Sequence, residues 1–155
     1  MQITRFIMTK ITAPDLTQRP PRGPRVRLGG YVHLPRLLDK ARAFAVGKHG
    51  EYEYNCPLDE QFFEFTGIRP KAFLAAVKSG KSDSDMLAWV SAHTKRRPLE
   101  IVQWSTWMEN RGAGSAQAHG RFQEMIAKFA PKRTDITTFF DRLDLDDHVS
   151  FGGKG

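Results

Sequence analysis

The stretch YEYNCPLDEQFFEF, which begins at Tyr52, gathers residue types that can do chemistry, and it holds the only cysteine of the chain, Cys56. Cys56 stands just ahead of an apolar segment with helical character. A thiol at a helix N-terminus ionises more readily, and the thiolate is the nucleophile. Asp59 and Glu60 share that helix start, however, and their charges oppose a second anion there. Only His49 is near in sequence. Unpaired cysteines are among the most buried residues and behave as small hydrophobes. Cys56 is therefore read as a structural thiol beneath a turn, with a reactive thiol as the alternative.

A second polar group lies just upstream. Arg36, Asp39, Lys40 and Arg42 mix charges within two helical turns, and Tyr52, Tyr54 and Asp59 add phenols and a further carboxylate. Asp39 is three residues from both Arg36 and Arg42, a spacing at which helical side chains pair. Two readings stay open. The group pins the first two helices together as a salt-bridge network, or it binds a small anion through its cations. The candidate binding residues are Arg36, Asp39, Lys40, Arg42, Tyr52, Cys56 and Asp59. No catalytic residue, metal ligand or cofactor is assigned.

Other motifs fail on spacing. Asp141, Asp144, Asp146, Asp147 and His148 offer hard-cation ligands. If Asp144 began an EF-hand loop, Val149 and Gly155 would stand where glycine and glutamate are required. The alternative is a solvated acidic segment whose carboxylates meet basic residues elsewhere in the chain. The closing GGKG lacks the early glycine and the Ser or Thr of a phosphate loop. The histidines, at 33, 49, 93, 119 and 148, show no i, i+4 metal spacing. Trp89, Trp104 and Trp107 are read as core or groove residues.

Charge is unevenly spread. Residues 1–50 carry ten Lys/Arg against two Asp/Glu, and residues 134–155 carry two against five, in a chain of net charge +7. A basic balance attracts nucleic acid or anionic surfaces, but the two ends can equally pair with each other. A protein partner or a small anionic ligand is expected ahead of nucleic acid. A chain of 155 residues with 40% hydrophobic and 26% charged residues fits one domain with one core. A lone cysteine fits a reducing cytoplasm. No run approaches the roughly 18 apolar residues of a membrane span, and the first residues lack a signal-peptide core.

Proline and glycine set out the elements that position these groups. Residues 1–12 read as a short strand or extended arm. APDLTQRPPRGPRVRLGGY has four prolines and three glycines, which excludes a long helix and implies an extended arm. Its Arg19, Arg22, Arg25 and Arg27 either contact phosphate or wrap the domain, and Val26, Leu28 and Tyr31 are the expected apolar anchors. The first helix follows Pro35 and ends before Gly47, burying Leu34, Leu37, Leu38, Ala41 and Ala45. The next has Asp59 as its expected N-cap, with Leu58 and Phe63 as a hydrophobic staple. Leu58, Phe62 and Phe65 face the core. Pro70 to Gly80 bounds a third. Ser82 with Asp85 caps a fourth, which buries Met86, Leu87, Trp89 and Val90. A fifth ends at Gly112, with Leu99, Ile101, Val102, Trp104, Trp107 and Met108 at helical spacing. AGSAQAHG reads as a loop. A sixth helix turns Phe122, Met125, Ile126 and Phe129 inward, and a seventh is capped by Thr134 or Asp135.

Taken together, DLTQRPPRGPRVRLGGYV, LPRLLDKARA, GEYEYNCPLDEQFFEFTGI, SDSDMLAWV and DITTFFDRLDLDDHVSFGGKG resemble small bacterial proteins grouped as domain of unknown function 5069. The likeness runs from about Asp15 to Gly155, leaving out the first fourteen residues and RGAGSAQAHG. It implies a stand-alone cytoplasmic domain and carries no activity or catalytic residue. The expected architecture is all-α: a compact single domain of about seven short helices with an extended Pro/Gly-rich arm. The arm takes residues 1–30, the helical domain 31–150 and a flexible tail 151–155. The expected function is a non-enzymatic binding or interaction module, using the arm and the first two helices. The alternatives are an enzyme or anion-binding protein with a pocket near Arg36, Asp39, Lys40 and Cys56, and a basic nucleic-acid-binding module.

Overall fold

The computed structural model describes residues 10–154, so most of the expected strand or arm at residues 1–12 lies outside the described residues, as does Gly155. Among the described residues the fold is all-α, with seven helices and one minimal hairpin. The hairpin pairs β1 (Arg27–Leu28) with β2 (Tyr31–Val32) in antiparallel register, Arg27 opposite Val32 and Leu28 opposite Tyr31. Its two turn residues, Gly29 and Gly30, have φ of 57° and 85°, the combination a tight two-residue turn demands. At Gly29 any side chain would also strike Leu87.

The arm before the hairpin is anchored by Leu16, Pro21 and Pro24, all buried. The Leu16 amide donates to the Lys48 carbonyl at 2.9 Å, tying the arm to the end of the first helix. Val26 is exposed and does not anchor the arm, whereas Leu28 is partly buried and Tyr31 fully so.

Helix α1 (Leu34–Ala45) starts after His33, which has left-handed backbone geometry at φ 67° and makes no side-chain cap. Pro35 lies in its first turn, and Gly47 follows its end with φ 71°. Leu34, Leu37, Leu38 and Ala41 enter the main core as expected, but Ala43 is buried where Ala45 is only partly so. The helix's other faces carry Arg36, Asp39, Lys40 and Arg42. Of these, Arg36, Asp39 and Lys40 are buried too. The arm, the segment after Gly50 and the last helix cover those faces, and such burial is tolerable only because each charge meets an opposite one.

Helix α2 (Pro57–Thr66) is capped at Cys56, not at Asp59. Pro57 occupies the first helical position, and Asp59, two residues on, reaches back to the Asn55 and Cys56 amides at 2.9 and 3.3 Å. Leu58 thus lies inside the helix, and the expected staple to Phe63 has no place to form. Phe62 and Phe63 are buried, with Leu58 and Phe65 packed partly against them.

Helices α3 (Pro70–Lys78) and α4 (Asp83–His93) follow the sequence punctuation, with the Ser82–Asp85 capping box present at 3.1 and 3.3 Å. Met86 and Val90 are fully buried; Leu87 and Trp89 pack partly. Helix α5 (Pro98–Asn110) buries Trp104, Ser105 and Met108, but turns Leu99, Val102 and Trp107 to solvent. Helix α6 (Ala116–Ala127) begins inside the segment read as a loop, because the Ser115 hydroxyl accepts from the Ala118 amide. Phe122 and Ile126 are buried in a smaller second cluster with Leu145, whereas Met125 and Phe129 are exposed. Helix α7 (Phe139–Ser150) is capped by Thr138, with Asp141 answering it, and not by Thr134 or Asp135. It takes in most of the acidic segment.

Candidate functional site

The candidate residues sort onto different faces of α1, since a helix turns about 100° per residue. Asp39 faces the arm. It accepts from the Arg22 amide at 2.9 Å, from its Nε at 3.1 Å and from its Nη2 at 3.0 Å. Arg22 also donates to Asp83 at 2.7 Å, and Arg42 meets the other oxygen of Asp83 at 2.7 Å. Asp39 therefore pairs with neither Arg36 nor Arg42. Arg22 offers it a guanidinium fork and a backbone amide together, and Arg42 points to the start of α4. Hydrogen bonds from Arg22 and Arg42, against some burial, hold the Asp83 carboxyl below its ordinary range. Asp39 and Arg42 stand apart from Cys56 and Asp59.

The next face carries Asp59, His33 and Lys40. Asp59 and His33 are wholly buried and Lys40 is 3% exposed. One Asp59 oxygen lies 2.7 Å from His33 Nε2, and the other accepts from Lys40 Nζ at 2.8 Å. Burial opposes the Asp59 charge, but the His33 hydrogen bond and the Lys40 ammonium outweigh it and hold the carboxyl down at about 2. Burial pushes His33 below its ordinary value against the pull of Asp59, so the ring is neutral at pH 7. A neutral ring beside a carboxylate donates from Nε2, which leaves Nδ1 as a bare acceptor. That atom is buried and has no hydrogen-bond partner among the described residues.

Lys40 has three protons and three acceptors: Asp59, the Glu53 carbonyl at 3.0 Å and Cys56 Sγ at 3.2 Å. Beside it, Arg36 makes a two-pronged pair with Asp147 at 2.7 and 3.1 Å. The Tyr52 hydroxyl donates to the same carboxylate at 2.8 Å, and the Arg36 guanidinium lies over the Tyr52 ring. Burial and Asp147 push the Tyr52 phenol above its ordinary value.

Both chains of contacts end on one cavity of about 200 Å³, whose wall includes His33, Arg36, Lys40, Tyr52 and Cys56. Cys56 is only partly buried, a free thiol in that wall. Of the seven candidate residues the structure gathers Arg36, Lys40, Tyr52 and Cys56 on the cavity, places Asp59 directly behind Lys40, and separates Asp39 and Arg42. A larger depression of about 490 Å³ shares Glu51, Tyr52 and Asp146 with the cavity. The cavity shares Leu143 and Asp146 with an apolar hollow of about 240 Å³ lined also by Met125 and Phe129.

His33 and Asp83 were not singled out as site residues in the sequence, whereas Arg22 was named only for the arm and Asp147 only as a possible cation ligand. Asp147 left a trace: with Phe140 and Leu143 it falls at i, i+3, i+7, so a carboxylate stands at a core register of α7. His33 left none. Among the described residues no three His, Cys, Asp or Glu side chains gather in the manner of a metal site. Asp141 and Asp144 receive Arg25 instead, and Asp147 receives Arg36. Backbone and side-chain bonds from Thr137 and Thr138 overcome burial and keep the Asp141 carboxyl at about 2. Arg25 reaching α7 also shows the basic and acidic ends of the chain pairing within one molecule.

These features define a class: a helical domain built on a buried, ion-paired helix with a polar cavity at its side. Residues 18–149 match the family model described as Domain of unknown function (DUF5069), and the chain belongs to that family. No curated protein matches it. No helix among the described residues is long and apolar enough to cross a membrane.

Proposed function

We propose that this protein is a non-enzymatic binding module that holds a small polar molecule in the cavity between α1, the 51–56 segment and α7. The observation that carries the reading is the convergence of two buried ionic chains, His33–Asp59–Lys40 and Arg36–Asp147–Tyr52, on one concave wall. Buried charges gathered at a cavity are costly to fold and mark binding sites more often than bare surface does. Holding is favoured over catalysis. The Lys40 ammonium is fully engaged, His33 Nε2 is committed to Asp59, and the group that the described residues bond to Cys56 Sγ is that same Lys40 ammonium at 3.2 Å.

The arm is a weaker candidate than its sequence suggested. Arg22, Arg25 and Arg27 are each engaged with carboxylates, which removes most of the cations a phosphate-binding arm needs. The free thiol fits a reducing compartment, and the cytoplasm is the proposed location.

Native mass spectrometry on gently purified protein tests the reading. Reproducible mass above the 17.6 kDa chain, lost when Leu143→Trp fills the cavity without lowering Tm, is the expected result. Added mass that survives the filling, or no added mass after exposure to a cell extract, would sink it.

A further inference from the structure

We infer that a surface strip running from α5 across α7 to α6 docks a short segment of another protein, one in which an apolar side chain is flanked by carboxylates. The inference is independent of the small-molecule reading. Arginines and apolar side chains alternate along the strip. The Arg111 guanidinium lies over the Trp107 ring at 5.0 Å and over the Phe139 ring at 5.3 Å. Arg142 lies over Phe139 at 5.8 Å, and its Nη1 donates to Met125 Sδ at 3.1 Å. Trp107 is 51% exposed and Met125 40%. Past Met125 the strip meets the apolar hollow of Phe129 and Leu143, which Arg142 also lines.

What these two arginines lack identifies the partner. Arg22, Arg25 and Arg27 of the arm and Arg36 and Arg42 of α1 all meet carboxylates. Arg111 and Arg142 form no ion pair among the described residues and rest on rings instead. Helix α5 cannot answer Arg111, because its two glutamates are held by Arg27 and Arg97. Beside Arg142, Asp141 is taken by Arg25. A guanidinium presents five donors in a fork that fits a carboxylate two at a time. Stacking on a ring fixes where those donors point, so less freedom is lost when an anion arrives. Aromatic residues, methionine and arginine are also the types that protein interfaces enrich. A second copy of the chain is a poorer occupant, since a two-fold contact on this strip would set arginine against arginine. A phosphate chain is poorer too. Asp146 stands in the wall of the hollow without an ion partner among the described residues and opposes a continuous line of negative charge, whereas a peptide places its carboxylates singly.

The test uses the full chain, labelled with nitrogen-15, and short capped peptides in which a central phenylalanine–leucine pair is flanked by glutamates, by serines or by lysines. The expected result is saturable shifts at Trp107, Arg111, Met125 and Arg142 with the glutamate peptide, roughly tenfold tighter than with the serine peptide, and none with the lysine peptide. Arg111→Gln combined with Arg142→Gln, which breaks no ion pair, should bring the glutamate peptide level with the serine one and leave Tm unchanged. Trp107→Ala, at a half-exposed ring, should weaken both. Glutamate and lysine peptides binding alike, unchanged affinity in the double arginine variant, or shifts at none of these residues overturns the inference. So does a second copy on the strip, read as shifts on dilution without peptide. Tighter binding there of a thymidine oligonucleotide or of phosphatidylglycerol vesicles than of the glutamate peptide overturns it as well. None of these outcomes bears on the cavity reading, which stands or falls on the added mass.

Discussion

Two faces of the same helix use the same chemistry to different ends. Toward the arm, α1 offers Asp39 and Arg42; Arg22 and Asp83 close the set, and each of these charges meets an opposite one. Toward α2 and α7 it offers Arg36 and Lys40, also paired with carboxylates, but there the packing stops short and leaves a cavity. The difference is not in charge or in pairing. It lies in what remains unpaired: on the arm side all four side chains are engaged, and on the cavity side a histidine nitrogen and a border of carboxylates remain. An ionic network alone is thus a staple, and a network with surplus acceptors beside a void is a candidate site.

The comparison can be sharpened by removing one carboxylate from each face. Asp59→Ala strands a buried lysine and two backbone amides, so unfolding in urea should show a loss of about 3–5 kcal/mol. A loss below about 1 kcal/mol would mean that the cavity side is no more buried in its energetics than the surface. Acid should probe the same face without mutation. The folded Asp59 value is about 2, below the ~3.9 of an unfolded aspartate. Its contribution, roughly 2–3 kcal/mol, is fully present above pH ~4 and fades as pH falls toward 2. His33, held below its unfolded value, adds a gentler decline that starts as pH drops through ~6.5, because the unfolded ring takes the proton first. His33→Asn should abolish that upper limb and keep the lower one; a Tm-against-pH series reads both.

Smaller effects are expected on the arm side and at the thiol. Asp83→Ala breaks two contacts at a carboxylate that is one-third exposed, so about 1–2 kcal/mol is expected by the same urea method. Cys56→Ser should change stability by less than about 0.5 kcal/mol, since serine is a good N-cap. The native thiol, partly exposed, should react with a maleimide in the folded protein, and a cavity ligand should slow it. Reaction only after denaturation would place Cys56 with the closed face instead.

Much of the helix plan was legible because it rests on local rules. Pro35, Pro70 and Pro98 stand in first turns, Gly47, Gly67 and Gly80 just past helix ends, and Ser82 with Asp85 announced α4. Caps failed where two candidates competed within a few residues, as with Cys56 against Asp59 and Thr138 against Thr134. Periodicity also misassigned outward faces. Leu99, Val102, Met125 and Phe129 keep helical spacing and still face solvent, because spacing marks a stripe and not what covers it. The candidate site was half legible for a related reason. Lys40 and Asp59 are 19 residues apart, but Arg36 and Asp147 are 111 apart, and the charge imbalance of the two ends suggested that they pair without saying which residues meet.

That separation also bears on how the chain is made. Arg25 and Arg36 leave the ribosome well over a hundred residues before the α7 carboxylates that receive them. Until then the N-terminal third is a basic extended chain wrapped around a helix whose charges are only partly answered. Vectorial synthesis therefore cannot finish this domain piece by piece, and the cavity wall is complete only when α7 docks. A nascent chain stalled before α7 would display exposed arginines and an open core edge, the features that chaperones and proteases recognise.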